Sequence, residues 1–573
     1  MILLNPKKYT PENLDAPTRE LLLKTIRFFE ERGKLKLKSE DHARAWYSDF
    51  LEFQKKEKIF ATFLTPGLTP ASAPHARWDT WRNCQMSEIL GFYGLNYWYT
   101  WQVTMLGLGP IWMSKNDSVK KQTAELLQAG GIFAFGLSEK EHGADLYSSE
   151  MRLTEEREGV HRAKGRKYYI GNANEAALVS TFGKISPGDE FVFFVVDSKH
   201  EKYECIQNVV NSQNFVAEYA LHDYPITEKD ILSRGQEAWD ASLNTINVCK
   251  FNLGFASLGI CTHSFFEAIN HASHRKLYGK AVTEFPHIQQ LFVDAYARLC
   301  AMKLFAHRAI DYMRSASGED RRYLLFNPMV KMKVTTQGEE VINLLWDVIA
   351  AKGFEKNMYF ETASRDIRAL PKLEGTVHVN MALIIKFMRN YFFKPANFPD
   401  IPRRDSAVND DFLFDQGPTK GLGKIQFHDY QIAYGSQSLP NIQIFKKQIS
   451  GFKRLLMLAK PNQEQTKDFD FLLILGELFT LVAYGQLIVE NSKLNQARLS
   501  PSMNDDLLDQ IFDFLVRDFS KFALKLYSKT SSTRLQMLLA QLMIRKPVKN
   551  QERFERVWKN QVMTLCDTYE MNP

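Results

Sequence analysis

Gly130-Gly-Ile-Phe-Ala-Phe-Gly-Leu-Ser-Glu-Lys-Glu-His-Gly-Ala-Asp145 is where the texture of this 573-residue chain changes. Before it, Ala16–Glu30, Ala43–Lys55, Met86–Gly107 and Val119–Gln128 carry apolar residues at three- and four-residue spacing, the period of helix. A Pro/Ala/Gly-rich stretch, Thr65–Pro74, interrupts them as a loop. After it, Ile132–Leu137, Lys167–Ile170, Leu178–Phe182 and Glu190–Val196 read as strands separated by turn formers such as Ser186-Pro-Gly-Asp. Helical periodicity returns in Ser242–His274, Pro286–Ala316, Pro328–Ala351 and Thr376–Tyr391, four long amphipathic segments that predict a four-helix bundle.

The expected fold is therefore mostly α with an inserted β domain. Residues 1–129 form an N-terminal helical domain and 130–241 a central β-barrel-like domain. Residues 242–393 form the C-terminal four-helix bundle, 394–440 a linker, and 441–573 an additional C-terminal helical domain. In the last, Asp506–Asp518 is strongly amphipathic. The longest apolar run, Phe471–Val489, contains Glu477 and Gln486 and reads as a buried bundle helix rather than a membrane span.

Composition narrows the function. Hydrophobic residues make up 45% and charged residues 24%, which supplies large cores and excludes a mostly disordered chain. The net charge of +7 is spread without a long basic run, so no nucleic acid is expected, while an anionic cofactor is compatible. Six scattered cysteines contain no CxxC pair, so neither a metal site nor a disulfide framework is expected. The start Met1-Ile-Leu-Leu-Asn-Pro is not a signal peptide. Taken singly, the local motifs are bland. Gly421-Leu-Gly is a linker glycine pair, His271-Ala-Ser-His274 a solvated or core pair, and Glu139–His142 a charged loop. Glu374-Gly-Thr376 is a helix cap.

Read in order, they resemble the acyl-CoA dehydrogenase family. Phe133–Asp145 is similar to its aromatic-x-[VL]-[ST]-E-P-x-x-G-S-D signature, and Gly165-Arg-Lys-Tyr-Tyr-Ile-Gly-Asn172 to its G-x-K-x-[WY]-I-[ST]-N strand. Arg275-Lys-Leu-Tyr-Gly-Lys280 resembles R-x-x-F-G-K/R, and Gly353-Phe354, Arg365-Asp366 and Leu373-Glu-Gly-Thr376 its closing block. The resemblance covers about Ala43–Tyr391, and the helical extension is like that of very-long-chain members. It implies FAD, with Phe135, Leu137, Ser138, Gly143, Ala144, Tyr169, Ile170, Gly171, Arg275, Tyr278 and Thr376 at cofactor positions. It implies Glu374 as the base that removes the α-proton of an acyl-CoA, with hydride transfer to flavin N5 and a trans-2-enoyl-CoA product. Asn247, Lys250 and Gly375 stand at substrate positions; a solvent-facing bundle lysine is the other reading of Lys250.

The resemblance also implies an electron-transfer flavoprotein as acceptor and a homodimer; for the C-terminal domain the readings are a packed appendage, or a domain that stabilises the dimer or makes peripheral membrane contact. The expected location is cytoplasmic in a bacterium, or the mitochondrial matrix. The rival expectations are an acyl-CoA oxidase using O2 and a non-catalytic acyl-CoA-binding scaffold. The chain departs from the family at Lys140–Ala144, at Gly171 in place of Ser/Thr, at Ala350-Ala351 in place of Gly-Gly, and at Pro286 in place of a common glutamine.

Overall fold

The computed structural model describes residues 3–11, 13–67, 69–499 and 504–573, with the side chains of 495–499 left aside. They divide into two compact units.

The first unit holds Thr10–Asn252, joined by Asp405–Lys420. Its helices are α1 (Ala16–Ala43), α2 (Ser48–Lys56), α3 (Ile59–Leu64), α4 (Thr80–Tyr93), α5 (Leu95–Met113) and α6 (Asp117–Gln128). Asp15, Asp79 and Asn116 cap α1, α4 and α6 by accepting from first-turn N–H groups. Helix α5 is buried along nearly its whole length, so it forms a wall rather than a surface. The strands follow as β1 (Phe133–Gly136), β2 (Arg152–Arg157), β3 (Val160–Gly171), β4 (Leu178–Ser186), β5 (Glu190–Val196), β6 (Tyr203–Asn208), β7 (Val216–Thr227) and β8 (Ile231–Arg234), and then α7 (Gly235–Cys249).

Among the described residues the strands make one mixed sheet in the order β6-β7-β3-β2-β4-β5-β8, with β1 beside β4. The β1–β4 and β2–β4 pairs are parallel and the others antiparallel. Leu153, Ala163, Ile170, Val179, Phe194 and Tyr219 belong to its core. Part of the expected linker packs here as a strap. Asp410 accepts from the Thr80 N–H at 2.8 Å, and Asp240 accepts from Thr419 Oγ1 at 2.9 Å.

The second unit holds Leu253–Arg404 and Gly421–Met571. It contains α8 (Asn252–His274), the ribbon β9 (Lys276–Leu277) and β10 (Lys280–Ala281), α9 (Pro286–Arg314), α10 (Tyr323–Met329), α11 (Thr335–Ile349), α12 (Tyr359–Asp366), α13 (Val377–Ile385) and α14 (Met388–Phe393). It continues with α15 (Gln431–Gly435), α16 (Pro440–Leu458), α17 (Phe469–Leu499), α18 (Asp505–Ser528), α19 (Arg534–Met543) and α20 (Gln551–Val557). The bundle and the added helices thus share one compact unit.

Polar bonds through its interior join them. Arg298 on α9 donates to both carboxylate oxygens of Asp518 on α18, at 2.8 and 3.1 Å, and to Gln337 on α11 at 2.9 Å. Arg308 on α9 donates to Glu490 on α17 at 3.0 Å, and the Tyr391 hydroxyl bonds Gln486 of the same helix. Among the described residues α17 is the one helix long and apolar enough to cross a membrane, but 78% of its apolar window is buried inside the unit. Apolar composition here marks a core helix, as the run around Glu477 suggests.

Burial pushes the Asp518 carboxyl up, yet Arg298 beside it outweighs that and holds it below the usual range. Its stabilisation is present at neutral pH and disappears as acid protonates the folded carboxylate. Arg298→Met leaves Asp518 buried and unpaired. It is expected to lower stability by about 3–5 kcal/mol at pH 7, read as a fall in the urea midpoint that shrinks toward acid pH.

Candidate active site

The sequence-predicted residues fall into two groups, one in each unit.

In the sheet unit, β1 ends at Gly136 and the chain enters the loop Leu137–Glu150. A buried ion pair fixes this loop. Lys167 of β3 has no exposed surface; its Nζ donates to Glu139 Oε1 at 2.8 Å, to the Leu137 carbonyl at 3.0 Å and to Ser149 Oγ at 3.4 Å. Glu139 also accepts from the N–H groups of Glu150 and Met151 at 2.8 and 3.1 Å. Burial pushes the Glu139 carboxyl up, but Lys167 and these N–H bonds overcome it and hold it below the ordinary value. Burial lowers the Lys167 pKa against the opposing pull of Glu139. The pair is structural, so Glu139 is committed to the loop rather than to proton transfer.

Ser138 completes the clasp: its Oγ donates to the Tyr168 carbonyl at 2.7 Å, and its own carbonyl accepts from the Tyr168 N–H at 3.0 Å. Between Lys167 and Ile170 the β3–β7 register shifts, and Tyr169 takes a left-handed φ of 63°. Such a bulge re-aims a side chain, and Tyr169 stands 62% exposed. Ile170, one residue on, is in the sheet core, so it offers only its backbone outward. Gly171 is there for close approach. A Cβ at this position would lie 2.7 Å from the Tyr99 ring and 2.8 Å from Val103 of α5, so the aromatic side chain of α5 occupies the space a Ser/Thr side chain would need. Phe135 is half-buried and lies parallel to Phe193, centroids 5.9 Å apart. Gly143 and Ala144 are exposed. At the end of α7, Asn247 is half-buried and Lys250 is buried, which removes the solvent-facing reading of this lysine.

In the helical unit, Arg275–Lys280 folds as a two-residue hairpin, Leu277 opposite Lys280, with Tyr278 and Gly279 at φ 52° and 78°. Positive φ at both turn positions is the type I′ pattern that suits a tight ribbon. Tyr278, at its tip, is 96% exposed. Among the described residues Arg275, Lys276 and Lys280 have no carboxylate partner. The hairpin meets a second motif here. His271, in the last turn of α8, has its pKa lowered by burial and then by the charges of Arg275 and Lys352, with Glu355 opposing. Lys352 lies in the turn Ala350–Phe354 and donates to Glu355 at 2.5 Å, so the cationic charge at this corner rests on the hairpin. The buried Nε2 of His271 has no hydrogen-bond partner there. Exposed guanidinium and ammonium groups beside an unsatisfied ring nitrogen fit a diphosphate-bearing ligand by donor chemistry.

Glu374 and Gly375 are consecutive left-handed residues, φ 50° and 86°, just before α13. Left-handed backbone at a non-glycine residue such as Glu374 costs about 1–3 kcal/mol and persists only where the surroundings hold it. Thr376 Oγ1 caps α13 by accepting from the Val379 N–H, and Asn380 Nδ2 donates to the carbonyls of Gly375 and Thr376, each at 3.0 Å. The Glu374 Oε2 atom is buried. A carboxylate on a fixed loop is the arrangement general-base chemistry needs.

Residues 237–388 match the family model described as acyl-CoA dehydrogenase, C-terminal domain. Over those residues the chain carries an acyl-CoA dehydrogenase C-terminal domain. A 3-(aryl)acrylate reductase of Clostridium sporogenes is 23% identical over 290 residues, 49% of this chain and 75% of that protein. The caffeyl-CoA reductase-Etf complex subunit CarC of Acetobacterium woodii is 23% identical over 309 residues, 52% of this chain and 79% of that protein. An acyl-CoA dehydrogenase complexed with FAD from Bacillus anthracis shares the fold over 98% of this chain and 97% of its own, with a TM-score of 0.73 at 14% identity. That coverage takes in the added helices, so the extension is part of the shared architecture.

Tyr99, Lys352 and the pairing of Lys167 with Glu139 are what the motifs did not show; His271, read as one of a solvated or core pair, stands near Arg275. Lys167 stood inside a quoted motif, and its partner was visible as the glutamate of another. Lys167→Met strands Glu139 as a buried charge and is expected to cost about 3–5 kcal/mol. The measurement is the urea midpoint, together with faster proteolysis within Leu137–Glu150.

Proposed function

We propose that this chain is an FAD-dependent acyl-CoA dehydrogenase with Glu374 as the base. The observation that carries the reading is the Glu374 loop: a buried carboxylate oxygen on a left-handed turn held at the mouth of α13. By the family resemblance, Arg275 would hold an FAD diphosphate across a dimer contact, and Tyr169 with the backbone of Phe135–Ser138 would meet a flavin ring. Bound FAD would supply the acceptor for the substrate's β-hydrogen and its electron pair. Glu374 takes the α-proton, and the electrons of that C–H bond enter the new carbon–carbon double bond. Charge developing on the thioester oxygen requires N–H donors, and the backbone N–H of Glu374 is the donor expected from the family.

An electron-transfer flavoprotein is the proposed acceptor, supported by the relative named as a subunit of a reductase-Etf complex. The proposed assembly is a homodimer. A second reading has support of its own, because two of the curated relatives are named as reductases. In that direction Glu374 returns the proton to the α-carbon of an enoyl-CoA, while bound reduced FAD would supply the hydride to its β-carbon, as microscopic reversibility requires.

For the proposed membrane contact, the supporting face is α19. Leu535, Leu538 and Leu542 lie one turn apart and are 47%, 54% and 49% exposed. Residues 519–550 contain seven Lys or Arg and no Asp or Glu. An apolar stripe in a purely basic segment suits an anionic lipid surface. Vesicles of mixed anionic and zwitterionic lipid are expected to carry the protein up a flotation gradient, while purely zwitterionic vesicles and the L535E/L538E/L542E variant are not. Equal flotation with all of them contradicts this placement.

Glu374→Gln keeps the size of the side chain but cannot accept a proton. Under anaerobic conditions with saturating substrate, flavin bleaching is expected to slow by about 10²–10⁴-fold while FAD and acyl-CoA still bind. Bleaching within a small factor of wild type moves the base elsewhere.

A further inference from the structure

Between α10 and α11 the helix widens into a π-turn, Val330–Val334, two residues after Pro328. Proline removes an N–H and crowds the preceding turn, and π-turns inside helices often mark functional positions. The widened turn carries Lys331, whose side chain has no exposed surface. Its Nζ donates to the Pro371 carbonyl at 2.7 Å and to the Gly375 carbonyl. One ammonium therefore ties both ends of the five-residue segment Pro371–Gly375, and Glu374 lies within that segment.

We propose that Lys331 is a positioning residue that holds Glu374 in reach of the α-proton. The inference rests on the reading of Glu374 as the base. Lys331 does not react; it acts through the loop. Consecutive left-handed residues persist only where several contacts fix them, and Lys331 fixes both shoulders of this pair. The second fastener, Asn380, reaches the Gly375 carbonyl but not that of Pro371. Removing the ammonium thus loosens the N-terminal shoulder and leaves the helix cap intact. The fold and the cationic corner at Arg275 are expected to survive while the placement of the carboxylate does not. Misplacement of a catalytic group by about 1 Å is enough to lower a rate about 10²-fold.

The experiment uses the FAD-loaded full chain and the variant Lys331→Met, which fills similar volume without a donor. FAD content and apparent acyl-CoA affinity are expected to stay within about twofold, with the limiting bleaching rate down about 100-fold. Amide exchange in residues 372–376, measured without substrate, is expected to rise about tenfold or more. Lys331→Gln keeps N–H donors without charge and is expected to recover about tenfold of the lost rate.

Unchanged exchange and bleaching in Lys331→Met overturn the proposal. So does a parallel loss of flavin, fold and rate in both variants, which would assign Lys331 to packing alone. If Glu374→Gln bleaches at the wild-type rate while Lys331→Met frees the loop amides, the base assignment fails and the tie stands. If Glu374→Gln is inactive and the loop amides of Lys331→Met are unchanged, the tie alone fails.

Discussion

Two lysines without exposed surface, Lys167 and Lys331, each gather a loop from the interior of its own unit. An ammonium taken out of water must be surrounded by acceptors, because the loss of hydration is far larger than the fold's margin of stability. Main-chain carbonyls and carboxylates are the acceptors available. Lys167 draws in Leu137, Glu139 and Ser149. Lys331 draws in Pro371 and Gly375. In both places the gathered segment carries residues that the family resemblance assigns to cofactor or substrate. Irregular backbone is thereby held with a precision that surface loops lack.

The surrounding architecture supplies rigidity for these ties. Helix α5 is buried on nearly every side and presses Tyr99 against Gly171. In the helical unit, the Arg298–Asp518 and Arg308–Glu490 bonds fasten the added helices to α9. The extension is therefore part of the unit that carries Glu374, not an appendage on a tether. The chain's departures from the family pattern have local reasons of the same kind. Gly171 in place of Ser/Thr follows from the Tyr99 ring on α5. The altered residues after Glu139 are exposed at Gly143 and Ala144, where side-chain identity is least constrained by packing.

Much of this was legible in the sequence, for physical reasons. The α, β, α order with an added helical segment is borne out. Strands β1, β4 and β5 are β-branched or alternating runs, and they appear where periodicity put them. Strands β2, Arg-Leu-Thr-Glu-Glu-Arg, and β6, Tyr-Glu-Cys-Ile-Gln-Asn, carry too many polar residues on solvated faces to be read. Their pairing comes from neighbours distant in sequence. Helix α12 is short, and it is started by Glu267 of α8, which accepts from the N–H groups of Tyr359 and Phe360. No local pattern announces a cap 92 residues away. The motif residues were visible as types at spacings. Lys167 and Lys331 were not distinguishable from surface lysines, and Lys250 only through the resemblance, because a lysine's role is set by burial, and burial is a tertiary property.

The proposed function turns on Glu374, held on its loop by Lys331, taking the α-proton of an acyl-CoA. Anaerobic titration of the FAD-loaded chain with a panel of saturated acyl-CoA thioesters, followed at about 450 nm where oxidised flavin absorbs, tests it most directly. The account predicts bleaching by one chain-length or branching class, in proportion to thioester added, with the matching enoyl-CoA as product. A chain that gains no flavin, or a flavin-loaded chain that no thioester bleaches, would contradict it.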